Sequence, residues 1–407
     1  MPTPVLITGG AGLAQFGNPG PIAIGGALYA VLNGISTFQI WKSTDAGNTW
    51  NEIDIVGEPT GTISAAWASC TDGTSIFVAS FTSGFVLEYI PFDTTTQLWG
   101  APVSTGNTCI AVQQVAYRSF DNSLIVCGIV SAGTPGLSYC VITIGGSTTA
   151  FTHCSNNPSG FYMTSWGILQ GHGSDFWFLF NQTPIAAGTQ FLQIQKIDNT
   201  NTLGSVVNVD SGPAPGGASL YASLISGFSD GTTFALVWQP DHTVQSVNVL
   251  DAPTLTMSFT TTALPCPAAT TLGQVSIVLS TGIGGLLVEM SLNGNEMVFT
   301  VNTGGGFGPF TTLISAVPFV GTKNFSSIID PSFSGGWAML FTGAGGVNFL
   351  AGSAPTTPAA IGIYGPVGVV ALPTSGTLCR FAEPKRCVKQ PYRTILSSNL
   401  LVYGVKK

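Results

Sequence analysis

Three glutamates have a setting that could support acid–base chemistry, because they lie in or beside apolar runs and not in turns. They are Glu88, Glu289 and Glu296. Glycoside hydrolysis, the reaction such residues would serve, needs two carboxylates about 5–10 Å apart. Glu289 could line a binding surface or satisfy a polar group between neighbouring strands, and the structural role is favoured. We keep Glu289 as a candidate binding residue and assign no catalytic residue.

The remaining acids and the histidines form no recognisable site. Most acids lie in turn contexts, where local hydrogen bonds account for them. These include Asp72, Asp121, Asp230 and Asp241. The three histidines are scattered, and no P-loop, GxSxG, HExxH or EF-hand pattern occurs. The sequence therefore predicts no metal, no cofactor and no enzymatic activity.

The eight cysteines contain no CxxC pair and no zinc-type spacing with histidine. We expect them to be free, buried and to behave as small apolar side chains. Two local disulfides are the alternative: Cys127 with Cys140, and Cys379 with Cys387.

Residues 43–50 read S-T-D-A-G-N-T-W and fit the pattern S-x-D-x-G-x-T-W. Asp45 is expected to accept hydrogen bonds from backbone N–H groups two residues on. Gly47 supplies a backbone conformation that a Cβ would disfavour, and Trp50 begins the next strand and can pack between neighbouring sheets. The pattern, made by Ser43, Asp45, Gly47, Thr49 and Trp50, therefore predicts a hairpin stabilised by its own side chains.

This pattern resembles the Asp-box of the BNR/Asp-box (sialidase-like) β-propeller superfamily. The resemblance implies a propeller fold. For an active sialidase it also implies three arginines around the substrate carboxylate, a Tyr/Glu nucleophile pair and an acid/base aspartate. Arg118 is the only arginine before residue 380, so such an arginine triad cannot form on the propeller. The chain is therefore predicted to be a non-catalytic member.

A short apolar run recurs through the chain, with starts 47, 49, 52, 58, 52 and 51 residues apart. The runs are Leu28–Asn33, Ser75–Ser80, Leu124–Ile129, Phe176–Asn181, Phe234–Gln239, Leu286–Ser291 and Trp337–Thr342. A period near 40–50 residues is typical of propeller blades. The sequence predicts an all-β propeller of seven four-stranded blades over residues 1–372, with six or eight blades as alternatives. We expect Val5–Thr8 to pair with a late strand, for which Gly368–Leu372 is the candidate.

Residues 93–99, D-T-T-T-Q-L-W, look like a degenerate version of the same motif. Its Trp99 is predicted as an exposed aromatic platform, and hence as a candidate binding residue for a glycan.

The charge is distributed unevenly. Residues 1–379 carry 4 basic and 17 acidic residues, a net charge of −13, whereas residues 380–407 carry 7 basic and 1 acidic, a net charge of +6. Residues 373–407 are therefore predicted as a basic C-terminal extension for docking or assembly, with one credible strand at Leu400–Val405. Its docking residues are Arg380, Lys385, Arg386, Lys389 and Arg393. A solvated tail that folds back on the acidic body is the alternative, and nucleic-acid binding is disfavoured because that body would compete for the tail.

Composition narrows the setting in which the protein works. Charged residues make up 7% of the chain, against about 25% in typical soluble domains. The longest apolar run without a charged residue, Ile361 to Leu372, is too short to span a bilayer, so no membrane insertion is expected. The first residues lack a basic n-region and an apolar core, so they are not predicted to be a secretory signal.

The main hypothesis from these observations is a non-enzymatic virion structural protein, a phage tail or capsid-surface component. Its propeller would present a binding face, and its tail would dock to other virion proteins or to further copies of the chain. The first alternative is an extracellular, secreted propeller that binds protein or carbohydrate, such as a cell-surface glycan, in the manner of an adhesin or lectin. The second is an unrecognised glycoside hydrolase or lyase.

The tail hypothesis can be tested by light scattering coupled to size exclusion. We expect the full chain to form a defined assembly and a truncation ending at Pro373 to be a folded monomer, because the docking charges lie beyond that point. Two monomers of equal stability would remove the main support for assembly and would shift attention to glycan binding and hydrolysis.

Overall fold

The structure is a computed structural model. It describes residues 5–8, 15–16, 21–33, 37–53, 67–130, 136–154, 161–170, 176–184, 188–214, 226–229, 233–238, 246–251, 262–263, 272–280, 285–292, 296–302, 311–314, 325–330, 336–343, 346–352, 377–379, 387–389, 393–397 and 400–404. Every regular element among these residues is a β-strand. The all-β prediction is confirmed.

The strands form antiparallel sheets, numbered here in chain order. The chain begins with β1 (Val5–Thr8). Sheet I contains β2 (Gln15–Phe16), β3 (Ile22–Ile24), β4 (Ala27–Asn33), β5 (Phe38–Ser43) and β6 (Asn51–Ile53). Sheet II contains β7 (Ala68–Thr71), β8 (Ser75–Phe81), β9 (Val86–Asp93), β10 (Leu98–Trp99) and β11 (Val103–Thr108). Sheet III contains β12 (Ala111–Arg118), β13 (Ser123–Val130), β14 (Gly136–Thr143) and β15 (Thr152–His153).

The later sheets have the same plan. Sheet IV contains β16 (Phe161–Gln170), β17 (Phe176–Pro184), β18 (Gly188–Ile197) and β19 (Leu203–Ala214). Sheet V contains β20 (Ser226–Ser229), β21 (Thr233–Trp238), β22 (Ser246–Asp251) and β23 (Thr262–Ala263). Sheet VI contains β24 (Leu272–Ser280), β25 (Gly285–Leu292), β26 (Glu296–Asn302) and β27 (Thr311–Ile314). Sheet VII contains β28 (Phe325–Asp330), β29 (Gly336–Gly343), β30 (Gly346–Gly352) and β1.

The seven apolar runs of the sequence lie in equivalent places in these sheets. Apart from Gln239, which lies outside the described residues, they fall in β4, β8, β13, β17, β21, β25 and β29. Each of these strands is paired with a neighbour on both sides. Such a strand is covered on both faces when its sheet packs between two others, so its residues are apolar in succession. The periodic signal in the sequence therefore reports the strand of each sheet that is paired on both sides.

The partner of the first strand differs from the one expected. β1 pairs with β30, with Val5 opposite Phe349 and Leu6 opposite Asn348. The sequence placed this partner at Gly368–Leu372, which lies outside the described residues. β30 (Gly346–Gly352) accepts β1 because β30 would otherwise be the unpaired edge of sheet VII.

Neighbouring sheets share apolar clusters, and alternate residues of one strand belong to different clusters. In β8, Ile76 and Val78 pack with residues of sheet I, whereas Phe77 and Ala79 pack with residues of sheet III. This alternation follows from the two-residue period of a strand. Similar clusters join sheet III to sheet IV and sheet VII to sheet I. Strand contacts join sheet IV to V, V to VI and VI to VII.

The expected free and buried state holds for the five cysteines whose side chains the structure describes, Cys70, Cys109, Cys127, Cys140 and Cys154. A disulfide between Cys127 and Cys140 is wrong. Cys127 packs in the cluster between sheets III and IV, whereas Cys140 packs in the cluster between sheets II and III. Burial raises the pKa of Cys109 to about 12, so its thiol stays protonated at neutral pH.

The C-terminal extension contains two described hairpins. β31 (Thr377–Cys379) pairs with β32 (Cys387–Lys389), and β33 (Arg393–Ser397) pairs with β34 (Leu400–Gly404). The strand predicted at Leu400–Val405 is therefore present over Leu400–Gly404, and Val405 lies outside the described residues. Cys379 and Cys387 occupy directly opposite positions in the first hairpin. None of the described elements is a helix with the length and apolarity to cross a bilayer.

The turn between β5 and β6 packs sheet I against sheet VII. The rings of Trp50 and Phe349 lie 5.2 Å apart, and Trp50 Nε1 donates a 3.0 Å hydrogen bond to the carbonyl of Gly47. Gly47 has a φ of +88°, and a Cβ built on it would overlap the Phe349 ring. Gly47 is thus required twice, for its backbone conformation and for the close approach of the two sheets.

Two alanine variants separate these requirements. Gly73 also has a positive φ (+92°) but has open space where its Cβ would lie. Gly73→Ala should lower the free energy of unfolding by about 1–2 kcal/mol, and Gly47→Ala by roughly 1–3 kcal/mol more, because it also overpacks the contact with Phe349. Urea denaturation measures both. Equal losses would show that the Phe349 contact does not constrain residue 47.

Candidate functional site

Asp45 organises the turn between β5 and β6 through its carboxylate. Oδ1 accepts hydrogen bonds from the Thr49 N–H (2.9 Å) and the Ser43 hydroxyl (2.8 Å), and Oδ2 accepts one from the Thr49 hydroxyl (2.6 Å). The sequence predicted that Asp45 accepts hydrogen bonds from N–H groups two residues later in the chain. This is wrong, because the backbone donor is Thr49, four residues later. The Gly47 N–H donates instead to Ser43 Oγ, at 2.8 Å.

Asp93 forms a similar turn between β9 and β10. Its Oδ1 accepts hydrogen bonds from the N–H groups of Thr95 (2.7 Å) and Thr96 (3.2 Å). Gln97 then takes a left-handed conformation, with a φ of 59°, and its N–H donates to the Asp93 carbonyl. The degenerate motif at residues 93–99 thus keeps a carboxylate-centred turn, although it lacks the glycine of the stricter one.

Asp72 organises the turn between β7 and β8 in the same sheet. Its Oδ1 accepts hydrogen bonds from the N–H groups of Thr74 (2.7 Å) and Ser75 (2.6 Å). The two turns of sheet II are joined, because the Thr94 hydroxyl donates a 2.5 Å hydrogen bond to the carbonyl of Thr74. We call the turns centred on Asp45, Asp72 and Asp93, together with the turn centred on Asp198 in sheet IV, the aspartate turns.

Sheet I contributes a tight turn of a different kind, which lines the same pocket as residues of the aspartate turns. Gly25 and Gly26, between β3 and β4, have φ values of +57° and +80°. Two consecutive residues with positive φ form the turn that suits the twist of a two-residue hairpin. Gly–Gly permits this turn, and it leaves backbone without side chains at the edge of the sheet.

A pocket of about 500 Å³ lies where these turns of sheets I and II meet. It is lined by Ile24, Gly25, Gly26, Ala27, Tyr29, Lys42, Thr44, Gly73, Thr74, Thr94 and Thr95. Its volume is within the range of about 300–1,000 Å³ that is usual for small-ligand sites. Four threonines, one tyrosine and one lysine give it a wall rich in hydrogen-bonding groups.

Lys42 and Tyr29 supply a charged group and an aromatic ring to the lining of this pocket. They are opposite each other in the register of β4 and β5, and Lys42 Nζ lies 5.6 Å from the centre of the Tyr29 ring. Tyr29 is buried, with 3% of its surface exposed, and it lines the pocket. The ammonium and the aromatic face attract each other through the ring quadrupole, which holds the charge beside the cavity.

The structure does not bring the two predicted binding residues, Trp99 and Glu289, together with this pocket. Trp99 is half-buried, and its ring packs edge-on against Phe92 at 5.2 Å, beside the cluster between sheets I and II. Glu289 lies in β25, opposite Ser276 and Phe299. Both remain predictions, since neither has been tested as a binding residue.

The predicted docking residues fall partly within the described chain. Lys389 ends β32 and Arg393 begins β33. Arg380, Lys385 and Arg386 lie outside the described residues.

The other candidates for chemistry have local structural partners. Arg118 is 1% exposed, and its Nε donates to Asp121 Oδ1 (3.0 Å) and Ser123 Oγ (3.1 Å). Burial raises the pKa of Glu88, which is hydrogen-bonded to Ser80. Across the part of the chain that the structure describes, no three His, Cys, Asp or Glu side chains lie close enough to hold a metal ion.

Sequence reasoning missed the pocket residues, although one signal pointed to them. Lys42 is one of four basic residues before residue 380 and lies directly before the Asp-box pattern. Thr74 and Thr95 follow Asp72 and Asp93 by two residues each, so the same turn chemistry marks the two turns that sheet II contributes to the pocket. What the sequence could not supply is the packing of sheet I against sheet II that brings these turns together.

Comparisons with known proteins were made by sequence and by structure. No protein-family model matches the chain, and no curated protein matches it in sequence. A lectin, BP39L from Burkholderia pseudomallei, is similar in structure with a TM-score of 0.60 at 12% identity, over 88% of this chain and 97% of the lectin. A prolyl endopeptidase has a TM-score of 0.51 at 13% identity, over 85% of this chain and 51% of the enzyme.

A third solved structure, the β-propeller domain of the Trilobed protease from Pyrococcus furiosus, has a TM-score of 0.49 at 12% identity, over 83% of this chain and 95% of that domain. The structural neighbours of this chain are β-propeller proteins, and the likeness supports a β-propeller fold. At such identities the likeness concerns the fold alone.

The Asp45 turn predicts a specific response to acid. Hydrogen bonds, above all from the Thr49 hydroxyl, lower the pKa of Asp45 to about 2, against about 3.9 in an unfolded chain. A carboxyl with a lowered folded-state pKa stabilises the protein above the unfolded pKa, and that contribution is lost as pH falls from about 4 towards 2. Asp45→Asn should therefore reduce the loss of melting temperature between pH 6 and pH 2.5.

Thr49→Ser is the matched control, because it keeps both the hydroxyl and the N–H that Asp45 accepts. It should retain the wild-type pH dependence in the same thermal melts. A wild-type slope in Asp45→Asn would show that other carboxyls account for the acid response.

Proposed function

We propose that this chain is a non-enzymatic, carbohydrate-binding β-propeller, and that the pocket between sheets I and II is a sugar site. The observation that carries the proposal is the pocket itself, about 500 Å³ in volume and lined by hydroxyls, an aromatic ring and an ammonium. A sugar offers hydroxyls for hydrogen bonds and C–H surfaces for apolar contact, and both have partners in this wall. None of the described lining residues is a carboxylate that could serve as an acid or base.

The proposal includes a specific architecture, in which the seven sheets are the blades of one closed ring of the Asp-box type. Each sheet contacts the next one along the chain, and sheet VII contacts sheet I through the cluster around Phe349. The pairing of β1 with β30 supports closure, because the first strand of the chain completes the last sheet. The Asp45 turn supports the Asp-box assignment through its hydrogen bonds.

The turns give the pocket a preformed shape. Thr44, Thr74, Thr94 and Thr95 all belong to aspartate turns, whose hydrogen bonds fix the backbone before any ligand arrives. A preformed wall loses less conformational entropy on binding.

The pocket and the fold likeness to a lectin favour glycan binding over the virion structural role that the sequence suggested. No finding supports a virion role. Assembly through residues 373–407 and an extracellular location remain part of the proposal.

Thr95→Trp tests the site, because an indole at this exposed lining position would fill the mouth of the pocket. In a glycan array followed by calorimetry with the best glycan, we expect wild type to bind and Thr95→Trp to lose at least about tenfold in affinity. The array itself tests the function, since a folded full-length chain that retains no glycan would overturn it.

Thr200→Trp is the matched control. Thr200 is exposed and follows Asp198 by two residues, as Thr95 follows Asp93, and its N–H donates to the aspartate in the same way. It lies in sheet IV, away from the pocket. We expect this variant to bind like wild type, and an equal loss in both variants would locate the effect in the turn and not in the pocket.

A further inference from the structure

Lys42 differs from the other cations whose side chains the structure describes. Arg118 donates to the carboxylate of Asp121, and Lys196 acts electrostatically on the carboxylate of Asp198. The described residues offer Lys42 an aromatic face, that of Tyr29, and no carboxylate in ion-pair distance. Among the described residues, Lys42 therefore has no carboxylate paired with it where it borders the pocket.

The aspartates near the pocket are held in their own turns and do not line the cavity. Asp72 and Asp93 each accept hydrogen bonds from two backbone N–H groups of their own turns, and neither lines the cavity. The Asp45 carboxylate is likewise held by Thr49. Of the described residues that line the pocket, Lys42 is the one whose side chain carries a full charge, and that charge is positive.

We propose that the pocket takes an anionic saccharide and that Lys42 binds its carboxylate or sulfate group. This inference rests on the proposed function and adds the chemical class of the ligand. The hydroxyl-bearing wall from Thr44, Thr74 and Thr95 holds the sugar ring, and Lys42 supplies a charge-assisted hydrogen bond to the anionic substituent. Such bonds are shorter and roughly twice as strong as those between neutral groups.

The chain offers a matched pair of lysines for the test. Lys42 lies opposite Tyr29 in strands β4 and β5, with Nζ 5.6 Å from the ring centre. Lys196 lies opposite Trp177 in strands β17 and β18, with Nζ 5.9 Å from the ring centre. Methionine keeps the long apolar stem of lysine and removes the charge, so Lys42→Met and Lys196→Met change the same contact in two different sheets.

The probes are galacturonic acid, which carries a single carboxylate, galactose 6-sulfate, and galactose, which is the neutral counterpart of both, each measured by calorimetry with the full-length chain. We expect wild type to bind an anionic probe at least about tenfold more tightly than its neutral counterpart, as a hydrogen bond to a charged group allows. Lys42→Met should remove that preference and weaken its salt dependence, whereas Lys196→Met should keep both. The galacturonate and sulfate arms identify which anionic group is recognised.

Each outcome decides something different. Equal binding of charged and neutral probes, unchanged in Lys42→Met, would overturn the anionic ligand and leave glycan binding intact. Loss of preference in both lysine variants would overturn the role of Lys42 in particular. Failure of folded wild type to bind any probe or any glycan on the array would overturn the proposed function together with this inference.

Discussion

The hydrogen bonds that a turn aspartate accepts from its own turn are the interaction on which the described structure most depends. At Asp45 they fix a turn that carries Trp50 on one side and Thr44 on the other. Trp50 packs against Phe349 of sheet VII, and Thr44 lines the pocket with sheet II. One local network therefore sets both the contact between the first and last sheets and one wall of the candidate site.

This arrangement explains how a chain with so little charge can be specific in shape. Apolar residues alternate between the two faces of each strand and serve two different clusters, as in β8. Packing of this kind is strong but not directional. The aspartate turns supply direction, because a carboxylate satisfied by two or three donors tolerates few turn geometries. Threonine, abundant in these turns, provides donors from both its backbone and its hydroxyl.

Two kinds of structural feature could be predicted from the sequence: those that repeat along the chain and those formed by residues close together in it. The seven inner strands could be predicted because burial on both faces leaves a continuous apolar run, and the Asp45 turn because its residues lie within eight positions. The partner of β1 could not, since the pairing with Phe349 spans almost the whole chain. The pocket was missed for the same reason. Lys42 and Thr95 are brought together only by the packing of two sheets, which no local pattern encodes.

The surroundings of Lys42 also restrict which anions suit the pocket. Asp45 and Asp93 flank the site, and hydrogen bonds from their own turns lower the pKa of each carboxyl, so both stay negatively charged at neutral pH. A ligand with one anionic group can reach Lys42 while its neutral hydroxyls face these turns. A densely charged polymer would bring further anions towards the aspartates, where repulsion opposes the gain at Lys42. The geometry thus selects for the spacing of charge along the saccharide as well as for its sign.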